Sequence, residues 1–241
     1  MAPPERLLRL SPSAAAKEKR LQALLAGRDA EDPRLRGIVE DAQILGSLEL
    51  AGLAFTWREV REERGGAPGP DSIRGLRSAL ASVAPGAPLD VAALRAWHAA
   101  ILPGAGSAFR VAAREREGAP PGAPPEFIQA RLALLADWMG ADSGRELKPL
   151  QQASLALARI VEILPFEDGN GRVSRLAASH IMLRGGLRPP VLVRGDGPRL
   201  VACLRAAFRL ELEPLEALLE EASERAIDVM TQALEAGEPW S

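Results

Sequence analysis

Between two apolar helical patterns, the stretch Asp168-Gly-Asn-Gly-Arg-Val-Ser-Arg175 gathers an acid, two glycines, an amide and two guanidinium groups. Gly169 and Gly171 let the backbone around Asn170 curve tightly, so that successive N–H groups can point one way. Apolar periodicity resumes at Val173 and continues through Leu176, Ala177 and Ile181, so a helix starts at this turn. The free N–H groups and dipole at its N-terminus favour phosphate. Arg172 and Arg175, three residues apart, can both flank that end. Two guanidinium forks suit a polyphosphate better than a single carboxylate. Asp168 adds a hard oxygen able to hold Mg²⁺ between two phosphates. The bland alternative is a glycine-rich turn with two arginines on a solvated helix face. No Gly-x4-Gly-Lys-Ser/Thr segment occurs, which excludes an ordinary P-loop.

Two helices must position this turn. Leu150, Ala153, Leu157, Ile160, Val161 and Leu164 fall on one side of a helix that Pro165 should end, and Phe166 can anchor the loop in the core. Helical spacing also runs near 15–26, 33–50, 72–83, 89–102, 126–139, 148–164, 170–184, 198–211 and 214–236. Ser13, Asp71 and Asp90 are candidate N-caps, and Pro149 and Pro214 suit first-turn positions. Strand-like material is confined to Phe109–Ala113 and Val191–Val193. Gly65–Pro70 and Gly118–Pro125 read as loops. The expected fold is all-α, with one small hairpin.

The 241 residues suffice for one large domain or two small ones, and 47% apolar with 26% charged residues is ordinary for a soluble globular protein. A formal charge of −2 gives no electrostatic case for nucleic acid. One cysteine, Cys203, precludes an internal disulfide, and with only His98 and His180 besides, a Cys/His zinc site is not expected. No apolar run approaches the roughly 18 residues of a membrane span, and no signal-peptide core is seen. A cytoplasmic location is the default expectation. Oligomeric state is not legible.

The segment Leu164-Pro-Phe-Glu-Asp-Gly-Asn-Gly-Arg-Val-Ser-Arg175 resembles the signature of the Fic (Fido) family, His-Pro-Phe-x-Asp/Glu-Gly-Asn-Gly-Arg-x-x-Arg, at every defined position but the first. The resemblance implies a Fic-type helical bundle with a β-hairpin flap. It also implies a loop that binds a nucleotide's phosphates with Mg²⁺ and, in most members, transfers AMP from ATP to a protein hydroxyl. By that resemblance Asp168 is the Mg²⁺ ligand, Gly169, Asn170 and Gly171 form the phosphate nest, and Arg172 and Arg175 bind phosphate. Gly106-Ser-Ala-Phe109-Arg110 is similar to the start of the flap, which would align a protein or small-molecule acceptor. Ser47-Leu-Glu-Leu-Ala51-Gly52 is similar to the autoinhibitory motif Ser-x-x-x-Glu-Gly. The expected organisation is an N-terminal helical region over 1–64 carrying this motif, and a Fic-like core over 71–241. The flap would lie near 106–125 and the motif loop at 164–175.

Two departures bear on function. Leu164 stands where the family has its general base, and Ala51 where it has an inhibitory glutamate. Glu49 lies about 200° round the helix from Ala51 and should not replace it. A hydroxyl nucleophile without its base forfeits about 10²–10⁴ in rate, and leucine accepts no proton. The favoured expectation is therefore a degenerate Fic protein that binds Mg-nucleotide, with ATP first and other nucleotides open, but lacks the usual route of AMP transfer. An active nucleotidyl- or phosphoryl-transferase using an ionised nucleophile or another base is the second reading, and a structural or interaction module the third. With Ala51 in place of glutamate, Arg175 is expected to be free.

Overall fold

In a computed structural model the described residues are 10–26, 32–115 and 120–236. They form α1 (Pro12–Leu25), α2 (Pro33–Glu49), α3 (Trp57–Arg64), α4 (Asp71–Ala81), α5 (Val91–Ile101), α6 (Ile128–Gly140), the single turn α7 (Asp142–Arg145), α8 (Pro149–Ile163), α9 (Asn170–Arg184), α10 (Gly197–Ala207) and α11 (Glu213–Glu235). The all-α expectation holds.

The centre is the pair α8–α9, which pack on each other more extensively than any other helices. Ala153, Ala156, Leu157 and Ile160 of α8 meet Val173, Leu176, Ala177 and Ile181 of α9 in the main core cluster. Small alanines on both helices allow close approach. α4, α5 and α6 cover one side, and α10 and α11 another. A second cluster joins α1, α2 and α11 through Leu21, Leu35, Ile38, Ile227 and Met230. α2 contributes to both clusters, because Ile44 and Leu48 belong to the main one. It can lie this close because residue 46 is glycine: a Cβ there would fall 1.7 Å from the Leu192 carbonyl oxygen.

α2 is also clamped electrostatically. Buried Asp41 accepts from Arg77 of α4 at 2.9 Å and pairs with Arg64 of α3 at 3.3 Å, while Glu63 takes the second face of Arg77.

Three details differ from the sequence expectation. α3 was not anticipated; it carries only Trp57 and Val60 as buried anchors, and its signal is the capping box of Thr56 and Glu59. The N-cap of α1 is Ser11 rather than Ser13, and Asp71 is the first residue of its helix rather than its cap. The hairpin flap is absent as paired strands among the described residues, and residues 116–119 of that segment lie outside them. The reason lies in the partners its backbone takes. Arg110 N donates to Pro165 O at 3.0 Å and Ala123 N to Ile163 O at 3.1 Å, so both arms bond the end of α8, and Gly122 N to Arg114 O at 3.0 Å is the cross-link between them. No helix of the described residues is long and apolar enough to cross a membrane.

Candidate functional site

Residues 164–169 turn the chain from α8 into α9. α8 ends at Leu164, whose N–H still donates to Ile160 O at 3.0 Å while its backbone sits at φ 53°, ψ 62°. This left-handed conformation costs a non-glycine residue roughly 1–2 kcal/mol. The side chain is 7% exposed and its Cβ lies against Gly122. Phe166 is fully buried and its ring stacks on His98 at 3.8 Å between centroids. Asn170 closes the turn on itself: Phe166 N donates to Oδ1 at 2.9 Å, and Nδ2 donates to Phe166 O at 2.7 Å. Asn170 thus shapes the nest through its side chain.

Gly169, at φ 78°, caps α9 without a side-chain acceptor. The N–H groups of Asn170, Gly171 and Arg172 therefore have no protein acceptor among the described residues. Three free donors and the dipole of a four-turn helix point out of the loop. Asp168 stands beside them with a 77% exposed side chain. One carboxylate oxygen accepts from Gly169 N at 2.6 Å and the other from Arg172 Nη2 at 3.0 Å. Arg172 itself is 5% exposed.

Arg175 is not free. Its Nε donates to Ser47 Oγ at 2.9 Å and its Nη2 to Ser47 O at 2.8 Å. The expectation built on Ala51 is corrected here: the helix holds this arginine through Ser47, one turn earlier, with a hydroxyl and a carbonyl in place of a carboxylate. Ala51 and Gly52 lie exposed just past the end of α2. Burial, and then the neighbouring charge of Arg172, pull the Arg175 pKa down to about 9, which still leaves it cationic at neutral pH. The space between the two arginines and α2 is only about 20 Å³, walled by Gln43, Ser47, Leu76 and Ser179. That admits about one water molecule, so a phosphate reaching Arg175 must displace Ser47.

The two flap candidates point inward. Phe109 packs on Phe166 at 5.6 Å between centroids, and the Arg95 guanidinium lies over the Phe109 ring, 5.5 Å from its centroid. Arg110 is 3% exposed and spreads its guanidinium over carbonyls: Nε donates to Leu164 O at 2.6 Å, Nη1 to Ala112 O at 2.6 Å, and Nη2 to Ala123 O and Ile163 O. It satisfies the open C-terminal carbonyls of α8 and places a cation at the negative end of its dipole.

His98 is a loop-positioning residue that sequence spacing did not single out. Its Nδ1 lies 2.9 Å from Gly106 O and its Nε2 3.1 Å from Asp168 O, so one imidazole bridges the start of the flap and the metal-ligand candidate. His180 lies elsewhere, 2% exposed and 5.8 Å from the Trp97 ring, with neither ring nitrogen hydrogen-bonded among the described residues. Both histidines are buried.

The site is an uncapped, arginine-flanked glycine turn joining the two central helices of a helical bundle. The sequence model of the Fic/DOC family matches residues 88–182. The chain is 33% identical over 103 residues to the protein adenylyltransferase fic-1 of Caenorhabditis briggsae, a match spanning 43% of this chain and 20% of that protein. The chain therefore spans about one fifth of the length of such curated relatives. Among solved structures it resembles Fic-1 from Caenorhabditis elegans, with a TM-score of 0.75 and 20% identity, covering 97% of this chain and 73% of that one. It also resembles a Fic domain containing signaling protein from Bacteroides thetaiotaomicron, with a TM-score of 0.78 and 19% identity, covering 92% and 97%.

Proposed function

We propose that the protein is a degenerate Fic domain that binds Mg-ATP, or another Mg-nucleotide, and lacks the base for AMP transfer to hydroxyls. One juxtaposition carries the reading: three unpaired N–H groups with Arg172 and Arg175 at the start of α9, and hydrocarbon at Leu164 on the other side of the same loop. The first half suits a polyphosphate, and the second cannot take a proton from an attacking alcohol.

The donor set fits magnesium in a limited way. No group of three His, Cys, Asp or Glu side chains gathers among the described residues. Asp168 would hold the ion through one exposed carboxylate, with phosphate and water completing the shell, as is common for Mg²⁺. Bound there, the ion would neutralise charge on the phosphates. Arg172 would bind and orient them, and Asn170 would keep the loop curved. Arg175 would join by exchanging Ser47 for phosphate.

Thermal unfolding with and without Mg-ATP tests the binding. At a ligand concentration 100 times its dissociation constant the expected stabilisation is about 2.7 kcal/mol, lost in Arg172→Ala. Incubation with labelled ATP should transfer no label to the protein or to added polypeptide. Absence of any stabilisation by Mg-nucleotides sinks the binding half, and label on a hydroxyl side chain sinks the degenerate half.

A further inference from the structure

A groove of about 590 Å³ lies between α2, the end of α4, α9 and α11, within the range of small-molecule sites. Its walls are largely hydrocarbon, from Val39, Leu80, Val83, Leu183, Pro189 and Met230. Its floor is Gln43, which donates through Nε2 to Ser179 Oγ at 2.9 Å and to Pro190 O at 3.2 Å. Gln43 and Ser179 also wall the small chamber beside Arg172 and Arg175, so the groove is separated from the anion site by a single layer of side chains.

Four charged residues line the groove, and their situations differ. Arg188 is committed to buried Glu18, donating from Nε at 3.1 Å and Nη2 at 2.8 Å. Asp32 caps α2, accepting from Arg34 N at 2.8 Å. Arg36 lies one turn before Glu40 and contributes its charge to it. Glu40 is half-buried and has no hydrogen-bond or ion-pair partner among the described residues. Burial pushes its carboxyl pKa up, against the opposing charges of Arg77, Arg36 and Arg64.

A desolvated carboxylate without a donor gains from an approaching ammonium or amidinium, which forms a charge-assisted hydrogen bond. The apolar walls would take the body of the same molecule out of water. An anion would meet both Glu40 and Asp32, whereas nearby cations are already paired, Arg188 with Glu18, Arg77 with Asp41 and Glu63, and Arg64 with Asp41. A neutral apolar ligand would bury Glu40 further without a partner. We propose that this groove binds a small organic cation, an amine or amidine on an apolar body, anchored by Glu40. The proposal is independent of nucleotide binding at the α9 turn.

Titration calorimetry of the full chain with phenethylamine, and with phenethyl alcohol as the uncharged counterpart, tests it. Saturable single-site binding of the amine is expected, with the alcohol at least about tenfold weaker, the factor usual for one hydrogen bond to a charged group. Glu40→Gln should weaken the amine by a similar factor, and Ala81→Arg, which sets a cation on the groove wall, should weaken it too. Arg172→Ala should bind the amine as the parent does, which separates this groove from the anion turn. No saturable binding, equal affinity for the alcohol, or an unchanged affinity in Glu40→Gln would each overturn the proposal.

Discussion

Arg175 and Ser47, 128 residues apart in the chain, are joined twice, through Nε to the hydroxyl and Nη2 to the carbonyl of the same residue. The contact satisfies donors of a desolvated guanidinium, but it supplies no opposite charge. Arg175 is therefore held without a counter-charge, and in the proposed reading α2 stands where a phosphate would arrive.

Ser47→Ala tests this relationship. It removes one hydrogen bond, worth about 1 kcal/mol of stability, and leaves the carbonyl contact. We predict that Mg-ATP affinity, measured by calorimetry, rises about three- to tenfold as Arg175 exchanges partners more easily. An affinity that is unchanged or lower would show that Ser47 does not compete with phosphate.

Installing a base gives the complementary prediction. Leu164→His should permit measurable transfer of labelled AMP, slowly as a single change because Ser47 still engages Arg175. The double variant with Ser47→Ala should be faster. Recovery of about 10²-fold over the parent is the scale expected of a positioned general base. A double variant that binds ATP yet transfers nothing would place the defect in how an acceptor is aligned.

Arg110 should be a stability residue. Replacing it with alanine leaves Leu164 O and Ala123 O without this donor, while Ile163 O keeps Ala123 N, and each buried orphan costs about 1–3 kcal/mol. A loss of about 3 kcal/mol or more in urea unfolding is expected. Arg110→Lys should rescue little, since a point charge cannot span three carbonyls. Near-parental stability of Arg110→Ala would refute the assignment.

His180 gives a pH signature. Burial first, and the charge of Arg184 second, lower its pKa, and the Ala87 backbone opposes this weakly without hydrogen-bonding geometry. The unfolded chain therefore binds the proton more readily than the folded one. Stability should fall as pH drops below about 6.5, the ordinary histidine value, and level off below the depressed folded pKa. In His180→Leu this part of the acid limb should flatten when unfolding free energies at several pH values are compared. An unaltered limb would assign the acid sensitivity to other groups.

The turn from α8 into α9 was legible because its physics is local. Gly169, Asn170, Gly171 and the following apolar spacing suffice to start an uncapped helix, and Leu164 is identified as a hydrocarbon at a loop position by simple reading. The central helices and the all-α class followed from 3.6-residue periodicity, and Pro165 and Asp90 mark boundaries for reasons contained within a few residues. α3 escaped because its two buried anchors are too few for periodicity, although its capping box was present.

What only the tertiary structure decided depends on residues far apart in the chain. Whether Arg175 is free, whether Arg110 faces an acceptor or the end of α8, and whether His98 merely fills the core are questions of which carbonyl or hydroxyl arrives beside each side chain. Pattern in one segment determines which face is apolar; it does not determine which distant oxygen meets a buried donor. The placement of α2, which at Gly46 lies directly on the Leu192 backbone, settled the most consequential of these, by bringing Ser47 to Arg175.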